Sequence, residues 1–123
     1  MYRNVQNVIV KLDGRKDNGH EDILMLNCHY DSVAGSPGKT NIDLFTITHF
    51  FNKFSNAGAS DDAASCCVML EILRVLSKTD TVNRHSVLFL FNGAEETPLQ
   101  AAHGFITQHR WASNVRGKFG WDS

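Results

Sequence analysis

Apolar and polar positions along the 123-residue chain fall into a few recognisable periods. Val5–Leu12 (VQNVIVKL) alternates and is rich in β-branched residues, which predicts a strand, and Asp13-Gly14 opens a turn after it. Arg15–Asp22 is polar and reads as a loop. Ile23–Cys28 (ILMLNC) is apolar without alternation, the signature of a strand buried on both faces and therefore central in a sheet. The breakers Gly35-Ser36-Pro37-Gly38 mark a loop. Between Asp62 and Ser77, Val68, Met69, Ile72, Leu73, Val75 and Leu76 recur at helical spacing, with Ser60 or Asp61 placed to cap the helix. Lys78–Arg84 is a polar connection, and Ser86–Phe91 is a third, wholly apolar strand. Leu99–His109 predicts a second helix, its start marked by Thr97-Pro98. A helix between two buried strands implies a parallel, right-handed crossover. The expected fold class is therefore α/β, a sheet with helices on its faces.

Two stretches break the pattern. Lys39–Asn56 has no clean period, yet it carries Phe45, Phe50, Phe51 and Phe54, too apolar for a comfortable surface loop. The tail Gly117–Ser123 reads as irregular. A small sheet with one open edge leaves much apolar surface uncovered, so the chain looks incomplete as a domain. Composition narrows the picture further. With 12 basic against 13 acidic residues, there is no electrostatic case for nucleic acid or an anionic membrane surface. Cys28, Cys66 and Cys67 form neither a disulfide framework nor a Cys-x-x-Cys knuckle, and all lie in apolar stretches, as small buried side chains do. No apolar run approaches the ~20 residues of a membrane span. The N-terminus has no signal-like apolar core.

The chemistry gathers at three element boundaries. Glu95 and Glu96 stand side by side in Gly93-Ala94-Glu95-Glu96, at the C-terminal end of the Ser86–Phe91 strand. Ligands bind at that edge in open α/β sheets. Two adjacent acids there repel each other unless a cation or a shared proton intervenes. His29-Tyr30-Asp31 follows the Ile23–Cys28 strand in the same way, and Asp61-Asp62 precedes the long helix. Any one of these pairs could be a polar turn or a helix cap. Three together point to a metal, since zinc in hydrolytic sites takes His nitrogen and carboxylate oxygen and keeps one position open. His29 is the natural imidazole ligand, and Asp31, two residues on in an extended segment, can orient it. Asp61 is placed to bridge two ions, which in co-catalytic sites lie about 3.5–4 Å apart. Of Glu95 and Glu96, one can bind metal and the other can take a proton from water.

Those motifs carry a resemblance. His29-Tyr30-Asp31-Ser32-Val33, Gly58-Ala59-Ser60-Asp61-Asp62-Ala63 and Asn92-Gly93-Ala94-Glu95-Glu96 resemble the motifs of the co-catalytic zinc exopeptidases related to bacterial leucine aminopeptidase. HYDSV, SPG, ASDDAASC, VMLEILRVLS, FLFNGAEE, LQAAHGFITQH and WAS are most similar to a membrane-anchored branch of that family, whose peptidase domain lies in the lumen of the endoplasmic reticulum. The resemblance implies a three-layer sheet with helices on both faces, incomplete in this chain. It also implies two Zn2+ per complete domain and a peptide as substrate. His29 would bind one zinc, Asp61 would bridge both and Glu96 would bind the other. Glu95 would be the general base and Asp31 the support of the histidine, so that a metal-bound hydroxide attacks the scissile bond. Asp62 would follow the bridging aspartate across a peptide that is often cis in the family. A later acidic ligand and a distant histidine of the family have no counterpart here, and His49, His103 and His109 do not stand at ligand positions.

On this reading residues 1–116 are part of a zinc exopeptidase domain and 117–123 fall outside the family pattern. In the family the loop runs from Ser-Pro-Gly straight into Ala-Ser-Asp-Asp, whereas here residues 39–58 intervene. Gly38-Lys39 can be encoded with a splice-donor string and Asn56-Ala57-Gly58 with an acceptor. A retained intron and a true loop insertion both account for the segment. The chain as written is expected to be inactive, with ligands missing and a loop interrupted. Two alternatives stand beside the peptidase: a single-zinc glutaminyl cyclase on the same scaffold, and a protease-like interaction domain without catalysis. If the segment is a retained intron, transcripts sequenced across this region will include a form that joins Gly38 directly to Ala59. Finding only the long form would establish a true insertion.

Overall fold

The computed structural model describes residues 5–15, 21–32, 59–79, 83–96 and 99–120. Four strands form one sheet: β1 (Asn7–Leu12), β2 (Ile23–His29), β3 (Ser86–Asn92) and β4 (Val115–Gly120), in the order β1-β3-β2-β4. β2 and β3 are thus the central pair, as their unbroken apolar character predicts. They run parallel, in a register that sets Ile23 against Ser86 and His29 against Asn92. β1 is antiparallel to β3, and β4 is parallel to β2 on the other side. The helix α1 (Ala64–Ser77) connects β2 to β3, and α2 (Gln100–Gln108) lies between β3 and β4.

Every residue of β3 is buried, and its alternation splits the core into two layers. Leu88 and Leu90 pack with Ile23, Met25 and Phe105 of α2 on one face. Val87, Phe89 and Phe91 pack with Cys28 and with Met69 of α1 on the other. One helix on each face makes the three-layer α/β arrangement expected from the sequence. Full burial of a Leu or Phe side chain stabilises by about 1.5–3 kcal/mol, so the β3 run supplies a large share of the driving force.

The end of the sheet opposite the acidic motifs is tied by a polar network. Ser86 Oγ donates to Glu21 Oε1 at 2.6 Å and accepts the Gly14 amide at 3.0 Å. Lys11 Nζ meets Glu21 at 2.6 Å and Asp13 at 2.7 Å, and lies 4.8 Å from the Trp111 ring centroid. Burial works against the Lys11 ammonium, but its two carboxylate partners prevail and hold its pKa above the usual lysine value. A Cβ on Gly14 would stand 2.3 Å from the His85 carbonyl carbon, so only glycine lets this turn close on β3.

Three expectations need correction. The helix does not begin at Asp62 with a Ser60 or Asp61 cap. It begins at Ala64, behind Ala63, with no side-chain cap, because Asp61 and Asp62 have non-helical backbone angles. Residues 117–120, expected to be irregular, complete β4, whose pairing with β2 was hidden by its two glycines. Cys28 is buried as expected, whereas Cys66 and Cys67 are only half-buried. The segment 39–58 lies outside the described residues. Because Phe89 has no exposed surface, Phe89→Ala should lower unfolding free energy by about 3–5 kcal/mol. Val8→Ala, on the half-exposed β1 edge, should change it by less than about 0.5 kcal/mol in the same urea titration.

Candidate metal centre

The parallel register delivers two strand ends to the same edge. β2 ends at His29 and is followed by Tyr30 and Asp31, and directly beyond β3 lie Gly93 to Glu96. The Tyr30 amide donates to the Asn92 carbonyl at 2.9 Å, carrying the pairing one residue past the strands. Beneath this edge, Asn92 Nδ2 donates to Asn27 Oδ1 at 2.6 Å, a buried amide pair that fixes both strand ends laterally. A Cβ on Gly93 would fall 2.3 Å from the Gln6 carbonyl oxygen and 2.3 Å from the Tyr30 hydroxyl. That hydroxyl donates to the same Gln6 carbonyl at 2.9 Å, so Gly93 is the floor of a tight three-part contact.

His29 has only 2% of its surface exposed. Its Nδ1 lies 3.1 Å from the Asp31 carbonyl oxygen, which can only accept, so Nδ1 carries a proton there. Nε2 then faces Asp61 Oδ1 at 2.9 Å. That contact requires either a second ring proton or a cation between nitrogen and carboxylate. Burial lowers the pKa of the imidazole, but the hydrogen bond to Asp61 and the nearby acids outweigh it, so the pKa sits above the usual histidine value. Asp62, 3% exposed, accepts the His29 amide through Oδ2 at 3.2 Å. The Cys66 thiol donates to the His29 carbonyl at 3.2 Å. The peptide between Asp61 and Asp62 is cis.

Ligand atoms of His29, Asp61 and Glu96 lie within 4.8 Å of one another. One neutral-capable nitrogen and two carboxylates, converging with the imidazole already oriented through its far nitrogen, fit a zinc-like ion. Glu95 is outside that trio, although its charge acts on His29. Asp31 departs from expectation in one respect. Its carbonyl, rather than its carboxylate, makes the shorter contact to His29 Nδ1, with the nearest carboxylate oxygen at 3.5 Å. The carboxylate accepts the amides of Glu95 and Glu96 instead, at 3.1 and 3.2 Å. His103 is on the exposed side of α2, and His109 stacks on Phe105 at 4.9 Å between centroids. His49 lies outside the described residues. Sequence reading missed Tyr30, Gly93 and the Asn27–Asn92 pair, because each acts through a contact between segments far apart in sequence.

The profile of peptidase family M28 matches residues 7–123. This chain belongs to peptidase family M28. It is 51% identical over 94% of its length to "Endoplasmic reticulum metallopeptidase 1" of Mus musculus, and 51% identical over 94% to the Homo sapiens protein of that name. A "Vacuolar membrane protease" of Laccaria bicolor is 29% identical over 97% of the chain. The chain spans only 10%, 10% and 9% of those relatives respectively. No solved structure gives a significant match. Among the described residues of this M28 chain, no helix is long and apolar enough to cross a membrane.

Because a Cβ on Gly93 would clash with both the Gln6 carbonyl oxygen and the Tyr30 hydroxyl, Gly93→Ala should displace the turn that carries Glu95 and Glu96. Zn2+ affinity, measured by competition with a chromogenic chelator, should fall about tenfold or more, as for loss of a supporting contact. The Gly104→Ala control, where a Cβ meets nothing within 4 Å, should leave it unchanged.

Proposed function

We propose that this M28 chain is part of a zinc-dependent exopeptidase that removes single residues from peptides. The observation that carries this reading is the convergence of His29, Asp61 and Glu96, with Glu95 beside the trio rather than in it. In this reading His29, Asp61 and Glu96 would hold the zinc, His29 toward one ion, Glu96 toward the other and Asp61 toward both. Bound zinc would supply Lewis acidity and a lowered pKa for water. Glu95 takes the proton from the attacking water and passes it to the departing amine, a role open to a carboxylate that is not itself a ligand. Asp61, Asp62 and Asp31 hold their partners in place throughout and exchange no proton with the substrate. The substrate is a peptide. The names of the relatives support an endoplasmic reticulum membrane location for the parent protein, and a lumenal peptidase domain is part of this proposal.

Divided between two ions, the described residues would offer each only two protein ligands, His29 with Asp61 and Asp61 with Glu96. Hydrolytic sites normally take three, leaving one position open. The 123-residue chain alone is therefore proposed to bind zinc weakly and to turn over no peptide. Aminopeptidase assays on this chain, on a version without Lys39–Gly58, and on a version also extended to the length of the relatives' peptidase domain test the reading. Activity is expected in the last. There, Glu95→Gln should reduce kcat by about 10²–10⁴ while leaving zinc content intact. Full activity in that variant would remove Glu95 from its role. Two zinc ions per extended chain support the peptidase, one the cyclase, and none the interaction domain.

Because the pKa of His29 is raised, a proton holds Nε2 over a wider pH range than in free histidine. Zinc binding must displace it. Affinity should therefore fall as pH drops through the raised pKa and level off above it, as measured by zinc titrations repeated across a series of pH values.

A further inference from the structure

The Asp31 carboxylate stands apart from the ligands and the base of the proposed chemistry. It is neither in the ligand trio nor the nearest partner of the His29 ring. Each of its oxygens takes a backbone amide from the far strand's turn, Oδ1 from Glu95 at 3.1 Å and Oδ2 from Glu96 at 3.2 Å. These are charge-assisted bonds across a sequence separation of 64 and 65 residues. The same residue's carbonyl takes His29 Nδ1–H. A single residue thus touches the histidine through its main chain and the two glutamates through its side chain.

The glutamate turn is held from its other side as well. Leu99 N donates to the Glu95 carbonyl at 2.9 Å, and Leu99 does so at φ 53, a left-handed conformation that a leucine adopts only under constraint. The Ala101 amide reaches back to the Ala94 carbonyl at 3.4 Å. The Glu95 peptide is therefore clamped at both its donor and its acceptor. Its side-chain direction is then set by the clamp, because a fixed backbone leaves only the side-chain rotamers free.

We propose that Asp31 is a positioning residue for the glutamate turn. Its carboxylate aligns Glu95 as base and Glu96 as ligand, and it links their placement to that of His29. The inference rests on the peptidase reading for what the two glutamates do, but the clamp itself can be tested without catalysis. If Asp31 worked through His29 alone, removing its charge would disturb the imidazole and leave the Glu95 and Glu96 amides untouched. If it works through the turn, the amides respond first.

The test uses the 123-residue chain, its D31N and D31E variants, and Zn2+ as the probe. In D31N the new side-chain NH2 faces an amide donor and one bond is lost. The Glu95 and Glu96 amide protons should move upfield and exchange at least tenfold faster, and Zn2+ should bind about 10–100-fold more weakly. The ring tautomer of His29, read from its nitrogen shifts, should remain Nδ1-protonated because the Asp31 carbonyl is unchanged. In D31E, which keeps both acceptor oxygens, amide protection and Zn2+ affinity should recover part of the loss together. Should D31N not fold, D31S, which also removes the carboxylate, reads the same two amides and decides the matter. Unchanged Glu95 and Glu96 amides in a folded variant that lacks the carboxylate would overturn the proposal. So would altered amides with undiminished Zn2+ affinity. A peptidase assay on the extended protein that fails for other reasons leaves both readouts standing, so the two ideas fail separately.

Discussion

Everything at the candidate site depends on the parallel pairing of β2 with β3 in a register that sets His29 against Asn92. The strands carry the two-residue and four-residue extensions that hold Asp31, Glu95 and Glu96, so a shift by one residue would turn His29 to the opposite face. That register is enforced twice. Apolar side chains lock it along the length of the strands, with Leu88, Phe89 and Leu90 at 0%, 0% and 1% exposure. At the rim the Asn27–Asn92 amide pair and the Tyr30–Asn92 backbone bond take over, where apolar contact gives way to polar groups. The polar network around Ser86 fixes the other end, and the two together leave the strands no freedom to slide.

Much of the fold was legible because burial on both faces erases alternation. Ile23–Cys28 and Ser86–Phe91 announce themselves as central strands by composition alone, and the stripe from Val68 to Leu76 announces a helix. The helix start was misread because Asp61 and Asp62 have the right chemistry for a cap. In the fold both side chains are drawn to His29, one to its ring and one to its amide, and the helix begins uncapped behind them. β4 was illegible for a different reason. Gly117 and Gly120 look like breakers, yet Gly120 lets the strand press close to Asn27, where a Cβ would lie 3.1 Å from its carbonyl oxygen.

The site was legible as a set of residues but not as a wiring. Adjacent acids at strand ends, a histidine at another strand end and an acidic pair before a helix can be picked out by eye. Which carboxylate meets which donor cannot be read that way. Asp31 stands two residues from His29 and was naturally assigned to its ring, yet its carboxylate faces amides 64 and 65 residues away. The closest sequence neighbour supplied a backbone carbonyl, the one group that composition never reveals.

The strand order β1-β3-β2-β4 also has a consequence in time. β1 and β2 are made before β3 and are not neighbours in the sheet; β1 pairs with β3, and β2 pairs with β3 and β4, both made later. Until Asn92 has been made, the apolar edges of both must wait without the strand that joins them. Sheets assembled from such distant pairings nucleate slowly and stay open to wrong partners meanwhile. The strand richest in core contacts is thus also the keystone, set after its two flanks, and the nascent chain depends on its surroundings to keep those flanks apart until it arrives.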